Sequence, residues 1–256
     1  MLNHWKTEIQ PFDERRDIII PGSYEETLEF CVEQLIDLAQ AAIQDHGFFC
    51  IAVSGGSTPN AIYKKLSLPE NRQKIDWSKV LVFWSDERSV PPNDKESNFR
   101  MAMEAGLNAL PLKPENIFRM VAESDIEHHA LEYEKALKKH LYNECFDAVL
   151  LGMGEDGHTA SLFPQTHGLQ APNRLVIGNF VPQKSTWRMS LTYACINAAR
   201  TIIIYVLGKS KAPMVQRALL GPYEPDLLPI QKVGTLQHRA LWILDQEAAA
   251  LIEKNL

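Results

Sequence analysis

Three short segments of this chain combine glycine, hydroxyl and charged residues in patterns that can hold an anion and move a proton. The first is Ser54-Gly55-Gly56-Ser57-Thr58-Pro59. Glycines at 55 and 56 let backbone amides approach an anion closely, Ser57 and Thr58 offer hydroxyl donors, and Pro59 suits the first helical position, where its missing N–H costs nothing. A Walker A loop would end in Gly-Lys-Ser/Thr, and a nucleophile elbow would place a glycine two residues after Ser57. Neither is present, and a tight glycine turn without function is the plain alternative.

The second segment, Trp84-Ser85-Asp86-Glu87-Arg88-Ser89-Val90-Pro91-Pro92, puts three charged residues at the end of an apolar run. Arg88 can make paired hydrogen bonds to phosphate, and Asp86 can orient a base or bind sugar hydroxyls. A solvated loop with local salt bridges is the competing reading. The third segment, Gly152-Met153-Gly154-Glu155-Asp156-Gly157-His158, contains the letters of a dinucleotide-binding fingerprint. That fingerprint needs an acid about 20 residues on for the ribose, and here none occurs until Glu224. What stands out is His158 beside Asp156 in a glycine-rich turn, a pairing suited to general-base work near neutral pH.

Cations complete the set. Gly208-Lys209-Ser210-Lys211 is another helix start, from which either lysine can reach a phosphate, and Arg188 lies in an apolar run nearby. His128 and His129 are adjacent on a helical pattern, so they are expected to diverge rather than chelate, and His4, His46, His140, His167 and His238 are isolated surface or packing residues. The four cysteines, Cys31, Cys50, Cys145 and Cys195, have no C-x-x-C pair and read as reduced, buried thiols. Nothing in the pattern calls for a metal.

These segments must be placed by a scaffold. Apolar, β-branched runs at 17–20, 48–53, 80–84, 147–151, 188–192, 201–207 and 240–244 alternate with helical patterns, and several are apolar on both faces. That predicts a doubly wound α/β fold, a mostly parallel sheet with helices on both faces. Capping boxes at Ser23/Glu26 and Ser124/Glu127 mark two helix starts, the second opening a helix over about 125–142. No linker, repeat or low-complexity stretch divides the 256 residues, so one domain over 1–256 is expected, with the Pro-rich stretches near 91–92, 111–114 and 221–229 as surface loops.

With 45% hydrophobic and 23% charged residues the chain reads as globular, and with no long apolar run as cytoplasmic, without membrane contact. Its formal charge of −6 argues against nucleic acid as a partner. The distribution is uneven: residues 157–223 hold no Asp or Glu and seven Lys/Arg, so this segment is +7 and the remainder −13. Such a segment favours an anionic ligand.

Taken together, VSGGSTP at 53–59, WSDERSVPPNDKESNFRMA at 84–102, LLGMGEDGHTASLFP at 150–164, SLTYACINAAR at 190–200 and GKSKA at 208–212 resemble the 6-phosphogluconolactonase family, in the larger group that includes glucosamine-6-phosphate deaminase. The resemblance spans nearly the whole chain. It implies a Rossmann-like fold without a nucleotide, no cofactor, and hydrolysis of 6-phospho-D-glucono-1,5-lactone, a small phosphorylated sugar lactone, in the oxidative pentose phosphate pathway. It further implies His158 as general base, Gly55, Gly56, Ser57, Thr58, Arg88 and Lys211 as phosphate anchors, and Asp86 and Asp156 as groups orienting substrate or His158. Arg188 is a candidate for stabilising the oxyanion. The deaminase pattern carries a Glu shortly after the Asp-Gly-His turn to assist ring opening, and residues 159–164 here contain no acid. The missing carboxylate favours lactone hydrolysis, and the intact Asp156-Gly157-His158 argues against a non-catalytic sugar-phosphate sensor.

Overall fold

The computed structural model describes residues 8–253, so His4 lies outside the described residues. In chain order the elements are β1 (Gln10–Pro11), β2 (Arg16–Ile19), α1 (Tyr24–His46), β3 (Phe49–Val53), α2 (Ser57–Leu66), α3 (Pro69–Arg72), β4 (Val80–Trp84), β5 (Asp86–Arg88), α4 (Asn98–Glu104), β6 (Ile117–Phe118), α5 (Ile126–His140), β7 (Ala148–Gly152), β8 (Val176–Val181), β9 (Thr186–Leu191), α6 (Tyr193–Ile196), β10 (Thr201–Val206), α7 (Ala212–Leu220), β11 (Ala240–Leu244) and α8 (Gln246–Ala249).

Eight strands form the main sheet in the order β1-β2-β11-β10-β7-β3-β4-β6, parallel except for β1. Its central strands are apolar on both faces because helices cover both: every residue of β3 and β11 is buried, and so are all of β10 but Thr201. From β3 the chain winds outward through β4 and β6, then returns to β7 and winds the other way through β10 and β11. The reversal falls between β3 and β7, and the loops leaving their carboxyl ends diverge there. In open α/β sheets such a switch point is where ligands bind.

A second sheet of three antiparallel strands, β5-β9-β8, was not foreseen. The run at 188–192 looked like one more parallel strand; it is the centre of this small sheet. Ser85 joins the two: its N–H donates to Val53 O at 2.8 Å in the main sheet, and its carbonyl accepts from Leu191 N at 2.8 Å in the small one.

Two helix starts turn out differently. The Ser23/Glu26 capping box forms, with Glu26 Oε2 accepting from Ser23 N at 2.8 Å, and Gly47 closes α1 at φ 98°. The box at Ser124/Glu127 does not. Asp125 takes a left-handed φ of 32° as the cap, so α5 begins one residue late, and the Glu127 carboxylate lies against Gly178 of β8 instead. Pro59 is the third residue of α2 rather than the first, still among positions whose N–H lacks a helical partner. Cys31, Cys50 and Cys195 are buried, whereas Cys145 is half-exposed. The His128 and His129 rings meet edge to face at 5.4 Å rather than diverging.

Candidate active site

The loop after β3 is built for close approach. Gly56 has φ 112°, in the left-handed region, and a Cβ at Gly55 would stand 1.9 Å from Asn98 Oδ1, so both positions need glycine. Ser54 is clamped from below: its N–H donates to Tyr63 Oη at 3.0 Å and its carbonyl accepts from the same hydroxyl at 3.0 Å. The free amides at the start of α2 then face the pocket, together with the positive end of the helix.

Asp86, Glu87 and Arg88 form β5, and they are not a solvated loop. Asp86 is 6% and Glu87 3% exposed. Asp86 Oδ2 accepts from Ser161 Oγ at 2.6 Å, and Ser161 N donates to Ser190 Oγ at 3.1 Å. Glu87 accepts four hydrogen bonds, yet burial outweighs them and pushes its pKa up. Cross-strand register sets Arg88 opposite Arg188 of β9. Like charges in that position repel. Burial first and then the Arg88 charge lower the Arg188 pKa. The Arg88 guanidinium donates to Glu96 O, and the Nε atoms of Arg88 and Arg188 are buried without a hydrogen-bond partner. Two crowded guanidiniums with unused donors have the chemistry to take up an anion.

The turn after β7 holds the candidate base. His158 Nδ1 lies 2.5 Å from Asp156 Oδ1, and the same oxygen accepts from His158 N at 3.1 Å. With the carboxylate accepting from Nδ1–H, the lone pair sits on Nε2. Burial works to raise the Asp156 pKa, but the His158 hydrogen bond and charge prevail and hold it below the ordinary value. Here the glycines of the apparent fingerprint have another use. A Cβ at Gly154 would lie 2.1 Å from His158 Nδ1, and Gly157 takes φ 78°. They let the turn wrap round the His158–Asp156 pair. Phe163 stacks on the imidazole at 3.9 Å and 15°, and the Arg188 guanidinium lies 5.9 Å from the Phe163 centroid.

One pocket is lined by Gly55, Gly56, Ser57, Thr58, Asp86, Arg88, His158, Arg188 and Lys211. Of the sequence candidates, Asp156 and Lys209 are not on its wall; Asp156 stands behind His158. Lys211 Nζ donates to Met153 O at 2.9 Å, while Lys209 does not reach the pocket. From the acid-free segment, His158, Arg188 and Lys211 converge here, whereas Arg174 pairs with Glu134 and Arg200 with Asp45. Sequence reasoning missed Ser161, Asn98 and Phe163. Asn98 Nδ2 donates to Asp86 O at 2.9 Å, a contact no local pattern signals. Among the described residues, no group of three or more His, Cys, Asp or Glu is arranged to hold a metal ion.

Comparison with known proteins places this geometry. The family model described as glucosamine-6-phosphate isomerases/6-phosphogluconolactonase matches residues 23–242. A 6-phosphogluconolactonase of Chlamydia trachomatis is 37% identical over 231 residues, covering 90% of this chain and 88% of that protein. One of a Nostoc species is 37% identical over 227 residues, 86% of this chain and 91% of that protein. The crystal structure of a 6-phosphogluconolactonase from Thermotoga maritima superposes with a TM-score of 0.77 at 25% identity, over 89% of this chain and 98% of that one.

Proposed function

The chain belongs to the glucosamine-6-phosphate isomerase/6-phosphogluconolactonase family, and from that premise we propose that it hydrolyses 6-phospho-D-glucono-1,5-lactone to 6-phosphogluconate with His158 as the base. The observation that carries the assignment of roles is that one pocket gathers both kinds of group. His158, its Nδ1 committed to Asp156, lines the same pocket as the Gly55–Thr58 loop, Arg88 and Arg188.

The substrate's phosphate sits on the amides of Gly55–Thr58 with Arg88 and Lys211, which fixes the ring with its C1 carbonyl toward His158. Nε2 takes a proton from water as the water oxygen bonds to C1. The imidazolium that forms is stabilised by Asp156 and held in plane by Phe163. Negative charge gathers on the former carbonyl oxygen, and Arg188, on the Phe163 side of the pocket, is the cation we assign to meet it. As the tetrahedral intermediate collapses, the C1–ring oxygen bond breaks and the proton passes from Nε2 to the departing ring oxygen. A phosphorylated sugar lactone is thus the small-molecule partner, and the reaction belongs to the oxidative pentose phosphate pathway. Because residues of both sheets line the pocket, we read the described chain as one catalytic domain. Among the described residues, no helix is long and apolar enough to cross a membrane.

The test is proton release from freshly generated lactone, corrected for spontaneous hydrolysis, with wild type and His158→Ala side by side. Acceleration by wild type that is lost in the variant is the expected result. No acceleration by wild type defeats the hydrolase reading, and full acceleration by the variant removes His158 as base.

A further inference from the structure

Glu87 lies between two residues with roles in the site and has none itself. We propose that Glu87 is a positioning residue for the phosphate end of the pocket: its carboxylate fastens the start of α4 to β5, and so sets where Asn98 meets Gly55 and where Arg88 projects. The proposal rests on the phosphate-binding reading above and names what keeps that site in shape.

Both carboxylate oxygens are fully used. Oε1 accepts from Arg88 N at 2.7 Å and Asn98 N at 2.7 Å. Oε2 accepts from Ser97 Oγ at 2.9 Å and Phe99 N at 2.8 Å. A carboxylate offers about four acceptor sites, so none is left for a ligand, and Glu87 is absent from the pocket wall. Its donors come from the two ends of the excursion between β5 and α4, which it pins together.

Each end leads to the site. Asn98, held by its own N–H, donates Nδ2 to Asp86 O at 2.9 Å and presses its amide on Gly55. Arg88, held by its N–H, is bound through its guanidinium to Glu96 O, within the loop that Glu87 closes. Helix capping alone does not account for this carboxylate, because α4 already has a cap in Ser97, whose Oγ accepts from Arg100 N at 3.1 Å. Nor does stability, since a buried charge is rarely the stable choice over an apolar residue of like volume. Four donors require a pure acceptor. Glutamine would set an NH2 group against two of them.

The experiment compares wild type and Glu87→Gln in steady-state lactone hydrolysis and in calorimetric titration with inorganic phosphate. KM and the phosphate Kd are both expected to rise about tenfold, with kcat within about threefold of wild type. KM and Kd within about twofold of wild type in folded protein overturn the proposal. So does a lower kcat at unchanged KM, which is the signature of partial unfolding alone. If Glu87→Gln does not fold, Ser97→Ala removes one donor: a rise in KM of about threefold sustains the proposal, and no rise overturns it. A wild type that binds phosphate without hydrolysing lactone defeats the hydrolase reading, while the Kd comparison still decides Glu87.

Discussion

Two histidine–aspartate pairs stand at opposite ends of the same strand, β7. At its carboxyl end, His158 and Asp156 meet at 2.5 Å in a glycine turn, with the His158 side chain 28% exposed to the pocket. At its amino end, His46 Nε2 meets Asp147 Oδ1 at 2.9 Å with both side chains nearly sealed, at 3% and 5%. Asp147 is further held by Cys50 N at 2.8 Å, and His46 stacks on Tyr142 at 4.4 Å. The two pairs share a chemistry and differ in what surrounds them. His46 is sealed, its Nδ1 buried without a partner, and no reacting atom can reach it. His158 opens on a pocket that it shares with Arg88 and Arg188. Access and neighbouring cations, not the dyad, distinguish the two histidines.

Removing each histidine in turn separates the two pairs most strongly. His158→Ala should lower kcat by about 10²- to 10⁴-fold while leaving 6-phosphogluconate binding and thermal stability near wild type. His46→Ala should do the opposite: stability in urea falls by about 1–3 kcal/mol, because the buried Asp147 loses one partner and keeps Cys50 N at 2.8 Å and Arg200 Nε at 3.7 Å, while kcat per folded molecule is unchanged. A loss of kcat in folded His46→Ala would erase the distinction. Next in size, Arg88→Ala should raise KM by about 10- to 100-fold with little change in kcat, as a charged hydrogen bond to phosphate is lost. An unchanged KM would take Arg88 out of the receptor.

The smallest effect concerns a carboxylate that ties α5 to the start of β8 in the small sheet. Glu134 on α5 accepts from Leu175 N at 2.9 Å and pairs with Lys138 and Arg174. Burial acts to raise its pKa, but those partners bring it from the ordinary 4.5 down to about 2. A depressed folded pKa means that this stabilisation is complete above about 4.5 and is lost as pH falls toward about 2. Glu134→Gln should therefore be less stable than wild type at neutral pH, and the gap should close in acid. Urea midpoints across that range measure it, and a gap independent of pH would contradict the assignment.

The parts read correctly from sequence are those whose cause is local. β4 at 80–84 and β11 at 240–244 coincide with their apolar runs, because a strand buried on both faces declares itself by composition. His158, Arg88 and the 55–58 loop, which the fold brings to one pocket, stand out in the sequence because each lies in one contiguous motif. The small sheet does not. β5 is three charged residues with no periodicity, and it becomes a strand only because Ser85 turns it against β9, a hundred residues away. For the same reason no local pattern marks Ser161, whose hydroxyl donates to Asp86, or Phe163, whose ring stacks on His158. The unformed box at the start of α5 likewise goes with a long-range contact, since the Glu127 carboxylate lies against Gly178 of β8.

The facing arginines of β5 and β9 carry a consequence for how the protein survives heat. If the pocket takes a phosphate dianion as proposed, binding offsets the repulsion between two like charges in register, and ligand and fold are linked by mass action. At a free ligand concentration of about 100 times Kd, such linkage would add about 2.7 kcal/mol to unfolding. The melting temperature would then gauge the sugar phosphate and inorganic phosphate around the chain, rising where they are plentiful and falling where they are withdrawn.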